Sequence, residues 1–259
     1  MFLAIDVGNT QSTLGLFDDE GQLAKGWRMT SNASDTSDML HARLFSYFLK
    51  DGYELADVSA AAVASVVPAL TRAWWRCLGD LLGRSPLLVN ATHDYGMPID
   101  MPNPRTVGAD RIANAIAARN AYGSPVIVVD FGTATNIDVV DDHGAYRGGA
   151  ISPGLMLSAN ALFSKAAKLA SIPVEAPEHA LGDTTETAMQ SGLVIGAAAQ
   201  AEGLVSRMKA ELGIEQAKVI GTGGLARTVS RATDLFDAVD PTLTLRGIRE
   251  IWLQQHGGA

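Results

Sequence analysis

Two aspartates mark where this sequence could do chemistry. Asp6 ends the apolar run Phe2-Leu3-Ala4-Ile5 and leads into Val7-Gly8-Asn9-Thr10; Asp130 ends Ile127-Val128-Val129 and leads into Phe131-Gly132-Thr133-Ala134. A glycine turn lets a phosphate approach the backbone closely, and the exposed N–H groups and hydroxyls around it donate to phosphate oxygens. A carboxylate beside such a turn can position a metal ion that shields a nucleotide's charge. A single Asp-x-Gly reads equally as a strand end with a tight turn, its aspartate capping backbone N–H groups. The recurrence favours phosphate handling. Both copies run on through an apolar stretch to an acidic turn, Asp18-Asp19-Glu20-Gly21 and Asp141-Asp142-His143-Gly144. With a one-residue gap in the second copy the match extends to Gly26 against Gly149. The chain is therefore expected to hold two related halves whose aspartates converge on one polyphosphate.

Other segments carry chemistry more ambiguously. In Gly108-Ala109-Asp110-Arg111, Asp110 is either a helix-start carboxylate favoured by the helix dipole or a base that takes a proton from a substrate hydroxyl; Arg111 is either a surface cation or the holder of a substrate anion. A carboxylate base suits phosphoryl transfer to an alcohol, where positioning outweighs basicity. Gly221-Thr222-Gly223-Gly224-Leu225 lacks the Gly-Lys-Ser/Thr ending of a P-loop, but beside two phosphate motifs it is a candidate third contact, for adenine or ribose. Gly148–Gly154 either shapes a turn or brings backbone to a substrate. Leu181-Gly182-Asp183-Thr184-Thr185 reads first as a hydroxyl-capped helix start. The five histidines form no metal-ligand spacing, and no serine elbow or Cys/His pattern stands out.

These residues need strands that end at glycines and helices that begin beside them, and the pattern supplies both. Phe2–Val7 predicts a strand buried on both faces, with Thr13–Phe17 as its antiparallel partner. Ser37–Lys50 predicts a helix, Ala60–Val67 a buried strand stopped by Pro68, Thr71–Leu82 a helix and Pro86–Asn90 a short strand. Gly96–Pro104 is expected to be irregular and Asp110–Ala121 helical. The second half repeats the logic, with paired strands Val126–Asp130 and Asn136–Val140, long helices Leu155–Leu169 and Glu186–Leu212, a strand Lys218–Thr222 and a helix from Leu225. Small residues at Gly192, Gly196, Ala197, Ala199 and Gly203 permit close helix contact within or between protomers. Interleaved strands and helices indicate an α/β fold.

At 259 residues, 47% hydrophobic and 19% charged, the chain can bury a large globular core. A formal net charge of −8 leaves no excess of Lys and Arg for nucleic acid or a membrane surface. Cys77, the only cysteine, follows Trp74 and Trp75 and reads as a buried structural thiol. The start has no charged n-region of a signal peptide, and no apolar stretch is long enough to span a bilayer, so a cytoplasmic protein is the expectation.

Together the motifs resemble the type III pantothenate kinases of bacteria, members of the acetate and sugar kinase, Hsp70 and actin superfamily. The resemblance runs through Asp6-Val7-Gly8-Asn9-Thr10, Ser65-Val66-Val67-Pro68, Gly108-Ala109-Asp110-Arg111, Asp130-Phe131-Gly132-Thr133-Ala134-Thr135, Gly148–Gly154 and Thr222–Ala226. It implies two duplicated ribonuclease-H-like (actin-like ATPase) domains, mixed sheets flanked by helices, over residues 1–112 and 113–259, with ATP in the cleft between them. It implies ATP-dependent phosphorylation of pantothenate to 4'-phosphopantothenate, the first step of coenzyme A biosynthesis. Asp6, Val7, Gly8, Asn9, Thr10, Gln11, Ser12 and Thr13 would form the first phosphate loop, and Thr133 would contact ATP. Asp110 would be the base, with Gly108, Ala109, Asp110 and Arg111 touching pantothenate. Asp130 would hold a monovalent cation, K+ or NH4+, and Mg2+ would accompany ATP. A homodimer is implied, with Thr185 contributing near its interface.

Two positions depart from the family pattern. Met101 stands where a tyrosine usually contacts pantothenate, and a thioether cannot replace a phenol as donor. Asp183 stands where a lysine is usual. These departures leave room for a rival reading, a nucleotide-binding regulatory or accessory protein without turnover. A third reading is a kinase for a different alcohol or a polyphosphate phosphatase on the same scaffold.

Overall fold

The computed structural model describes residues 1–165 and 171–256. Its elements run β1 (Phe2–Val7), β2 (Gln11–Phe17), β3 (Leu23–Thr30), α1 (Ser37–Asp51), β4 (Ala60–Ser65), α2 (Pro68–Leu82), β5 (Leu87–Val89), α3 (Ala109–Tyr122), β6 (Val126–Phe131), β7 (Ala134–Val140), β8 (Tyr146–Pro153), α4 (Leu155–Lys165), α5 (Thr185–Gln190), α6 (Gly196–Leu212), β9 (Lys218–Thr222), α7 (Ala226–Val229), β10 (Ala238–Val239) and α8 (Leu243–His256).

They form two five-stranded mixed sheets with one plan, ordered β3-β2-β1-β4-β5 and β8-β7-β6-β9-β10. In each, a central strand (β1 or β6) pairs antiparallel with the next strand of the chain and parallel with a later one. The apolar runs at Leu3–Ile5 and Val126–Val129 are buried because both faces of a central strand are covered. This is the duplicated ribonuclease-H-like architecture that the repeated motif implies.

The gap in the sequence repeat lies in the turn. Val7 pairs with Ser12, enclosing Gly8, Asn9, Thr10 and Gln11; Phe131 pairs with Thr135, enclosing Gly132, Thr133 and Ala134. Despite the different lengths, both turns are tied alike: Gly8 N–H donates to the Gln11 carbonyl at 3.1 Å, and Gly132 N–H to the Ala134 carbonyl at 3.0 Å. The acidic turns are equivalent too. Asp18 Oδ1 accepts from Gln22 N–H at 2.8 Å, and Asp141 Oδ1 accepts from Ala145 N–H at 2.9 Å. Their conserved geometry is that of hairpin caps.

The first compact unit comprises Met1–Gly96, Asn103–Ala117 and the segment from Thr244 onward; the second comprises Met97–Pro102 and Ala118–Leu243. In the first, Leu40, Leu44 and Phe48 line one stripe of α1 and meet Leu70, Trp74 and Leu78 of α2 over Leu14, Trp27 and Val63. The α1 start is capped by Thr36 Oγ1, which accepts from Met39 N–H, and its end by Gly52 in the left-handed conformation. Cys77 is buried here, and burial pushes its thiol up to about 12, so it is a packing residue rather than a nucleophile. In the second, Ile127, Val129, Ile137 and Val139 pack beneath Val194, Ala198, Ala201 and Val205.

Some elements differ from the sequence expectation. Gly148–Gly154 lies mostly within β8 rather than in a turn, since Gly148–Pro153 are strand residues paired with β7. The helix from Leu225 is a single turn, α7, followed by a 3-10 turn. The predicted helix Glu186–Leu212 stays helical but changes pitch: α5 and α6 are joined by a π-helical turn over Ser191–Ile195, which holds Gly192. Of the helix predicted over Leu155–Leu169, α4 is described to Lys165 and the remainder lies outside the described residues. No helix among the described residues is long and apolar enough to cross a membrane.

Candidate active site

In the first unit, the loop Asp6–Thr13 and the segment Gly108–Arg111 meet through one side chain. Asp6 is partly buried near the end of β1, Asn9, Thr10 and Gln11 are exposed, and Ser12 is buried with its Oγ 2.8 Å from Ser31 Oγ. Val7 pairs with Ser65 at the end of the parallel neighbour β4, and Val66 N–H donates to the Val7 carbonyl at 3.1 Å. The Val66 Cγ1 then lies 3.6 Å from where a β-carbon on Gly108 would be. Val66 thus touches both the strand that leads into the Asp6–Thr13 loop and the start of α3.

Asp110 stands in the first turn of α3, where a carboxylate interacts favourably with the helix dipole. Its Oδ1 accepts from Arg111 N–H at 2.9 Å and folds back over Gly108, 2.5 Å from the position a β-carbon would take there. Only glycine leaves that space. Burial raises the Asp110 carboxyl above the ordinary aspartate range, against the pull of the Arg111 N–H and guanidinium. A carboxylate held partly out of water, with one oxygen engaged and raised basicity, suits proton acceptance from an alcohol.

In the second unit, Asp130 ends β6 opposite Thr222 of β9. Its Oδ1 is 3.6 Å from the β-carbon position of Gly132 and occupies the corresponding position of Gly223, whose φ is +91°. The second Asp-x-Gly turn and the Gly221–Leu225 loop are therefore in contact. Thr222 is buried, its Oγ1 donating to the Asp240 carbonyl at 2.7 Å. Thr133 is exposed in the turn. A carboxylate oxygen such as Asp130 Oδ1 is a donor of the kind that a hard cation prefers.

Two further predicted residues lie elsewhere in this unit. Met101, half-buried, packs its sulfur 3.5 Å from the β-carbon position of Gly148. Thr185 is exposed as the first residue of α5, and the helix is capped by its neighbour: Thr184 Oγ1 accepts from Thr187 N–H, and the Thr187 side chain accepts from Thr184 N–H. Asp183 joins this cap, accepting from the Thr187 hydroxyl at 3.2 Å. Asp183 is thus part of the local turn that opens α5. What the sequence reading missed is Val66: its motif was visible, but its double contact depends on the β1–β4 register.

Comparison with known proteins decides the family. The family described as Pan_kinase, type III pantothenate kinase, matches residues 2–207. A type III pantothenate kinase of Moorella thermoacetica is 42% identical over 252 residues, covering 97% of this chain and 98% of the relative. That of Thermomicrobium roseum is 42% identical over 256 residues, covering 99% and 98%. The chain belongs to the type III pantothenate kinase family. Solved structures share its fold at low identity. A conserved Baf family protein of Campylobacter jejuni aligns with TM-score 0.65 at 18% identity over 99% of this chain and 100% of that one. Component A of (R)-2-hydroxyglutaryl-CoA dehydratase from Acidaminococcus fermentans aligns with TM-score 0.58 at 15% identity over 100% and 99%. In this type III pantothenate kinase family member, Met101 and Asp183 stand in loop and turn positions, while Asp6 and Asp130 lie in central strands and Asp110 in the first turn of α3.

Proposed function

We propose that this protein transfers the γ-phosphoryl group of ATP to the primary hydroxyl of pantothenate, giving 4'-phosphopantothenate and ADP. The observation that carries the reading is Asp110, a partly buried carboxylate with raised basicity, linked through Val66 to the strand bearing the Asp6–Thr13 loop. Full-length similarity to type III pantothenate kinases names the substrate pair.

In this reading Asp110 orients the hydroxyl and accepts its proton as the phosphoryl group arrives in line. Gly108, Ala109 and Arg111 hold pantothenate, the Arg111 guanidinium serving its carboxylate. The amides and hydroxyls from Gly8 to Thr13, with Thr133, donate to phosphate oxygens where charge spreads in the transition state. Asp6 would hold Mg2+ and Asp130 a monovalent cation, K+ or NH4+; when bound, these ions neutralise phosphate charge. Every other contribution is one of position.

A homodimer would have exposed apolar side chains to draw on around the start of α4, where Ile151, Met156 and Leu157 are 65%, 44% and 53% exposed. Thr185 would serve pantothenate near that interface. The surroundings of a soluble metabolic kinase make the cytoplasm its proposed location.

An ADP-release assay with and without pantothenate tests the reading. Release that requires pantothenate supports it. ATP binding without turnover supports the accessory role instead, and turnover only with another alcohol supports a different kinase.

A further inference from the structure

The turn between β4 and α2 is tied by hydroxyls that no part of the proposed reaction uses. Ser65 Oγ accepts from Val67 N–H at 3.2 Å. Thr71 Oγ1 lies 2.7 Å from Ser65 Oγ and 3.0 Å from the Val67 carbonyl, and Ser65 Oγ lies 3.3 Å from that same carbonyl. Two hydroxyl protons thus serve a closed three-member set. Thr71 N–H also donates to the Val67 carbonyl at 2.9 Å, and Pro68 occupies the first helical position with its φ already suited to the turn. Between the tied ends sits Val66. Its backbone is fixed to Val7 and its side chain lies against Gly108, where the Asp110 carboxylate folds back.

We propose that Ser65 and Thr71 are positioning residues that hold Val66 as a spacer between the phosphate-loop strand and Asp110. Val66 sets how far the start of α3 stands from β1, and the hydroxyl pair keeps the spacer from rotating. The physical case is one of tolerance. A valine is stiff about χ1, so a turn that fixes its backbone also fixes where its methyl groups lie. Displacement of a reacting group by about 1 Å can cost on the order of a hundredfold in rate. A closed hydrogen-bond set on the short turn behind the spacer is well suited to hold that tolerance. The inference rests on the role given to Asp110, and its test includes a readout independent of turnover.

The variants are Thr71→Val, which keeps the shape and removes the hydroxyl, Thr71→Ser, which keeps the hydroxyl, and Val66→Ala, which shortens the spacer. For Thr71→Val and Val66→Ala we expect kcat to fall about tenfold or more while KM for ATP stays within about twofold. Thr71→Ser restores kcat to within about twofold of wild type. Hydrogen exchange at the Arg111 amide, which donates to Asp110, accelerates in Thr71→Val and Val66→Ala while amides of β6 and β9 keep their protection. Wild-type kcat and unchanged Arg111 exchange in both variants would overturn the proposal. So would a joint loss of kcat, ATP affinity and protection across the whole chain, which is the mark of a merely structural turn. Should Thr71→Val not fold, Val66→Ala is read by the same criteria. If wild type shows no pantothenate-dependent ADP release, the proposed function fails, while Arg111 exchange still decides whether the spacer holds Asp110.

Discussion

The carboxylate of Asp130 occupies the space that a β-carbon on Gly223 would need. The same position crowds the backbone of Phe131, at 2.7 Å from both its N and its C, and requires φ of +91°. Any side chain at 223 must therefore move the end of β6 or the Gly221–Leu225 loop. For Gly223→Ala we expect a stability loss of ~1–3 kcal/mol by thermal or denaturant unfolding. A larger proportional loss of ATP affinity should accompany it, measured by titration calorimetry. Unchanged ATP affinity in a folded variant would separate this loop from nucleotide binding.

The proposed cation role of Asp130 has its own signature. Replacing K+ with a large organic cation should lower wild-type turnover at least about tenfold, if a charge beside the phosphates supplies more than ~1.4 kcal/mol in the transition state. Asp130→Asn should be slow and indifferent to K+. A wild type that is equally active in either salt removes the assignment.

Asp110 gives a prediction about pH. Because burial raises its carboxyl above the ordinary aspartate range, the acid limb of kcat/KM should lie above that range, and Asp110→Asn should lose the limb along with roughly a hundredfold or more of kcat. ATP binding should survive. The stability effect has the opposite sign. The folded pKa exceeds the unfolded one, so this group's favourable contribution is fully present below the unfolded value and is lost as pH rises through the folded value. Asp110→Asn should therefore melt higher than wild type at neutral pH, with the difference closing as pH falls into the carboxylate range. A variant that melts lower at neutral pH would mean that Asp110 stabilises the fold.

Met101 offers a gain-of-contact test. Its thioether lies over Gly148, a glycine with φ of +93°, on the segment that crosses near β8. Met101→Tyr introduces the phenol expected there from the resemblance. The expected result is a KM for pantothenate several-fold lower with kcat nearly unchanged, the pattern of uniform binding. No change in KM would place residue 101 outside the substrate contacts.

Much of the fold was legible in the sequence because the central strands announce themselves. Phe2–Val7 and Val126–Phe131 are unbroken apolar runs that end in the same Asp-x-Gly signal, and the antiparallel partners follow within a short turn. β3 was not legible: as an edge strand it alternates exposed Arg28 and Thr30 with buried Trp27 and Met29, half-buried Lys25 shares the face of those two, and its glycine dilutes the pattern. β8 hid behind Gly148 and Gly149, which read as turn residues although their backbones pair with Val139 and Asp138. At the candidate site, the aspartates stood out because chemistry restricts which residue types could serve there. Val66 did not, because packing contacts are set by which strands become neighbours. The attachment of α8 to the first unit left no local mark either, since its partners on α3 are about 130 residues away.

That attachment has a consequence for how the chain is made. Gly247 of α8 lies so close to Ala113 of α3 that a β-carbon there would overlap the Ala113 carbonyl, and Thr244 donates to Asn114 at 2.8 Å. Synthesis runs through the whole of β6 to β10 before α8 emerges, so α3 waits on the ribosome with one flank uncovered. The second unit can complete its core first. Packing of the segment that carries Asp110 is thereby deferred until after both Asp-x-Gly motifs have been made, and a nascent chain stalled between β10 and α8 would carry both motifs without the helix that covers α3.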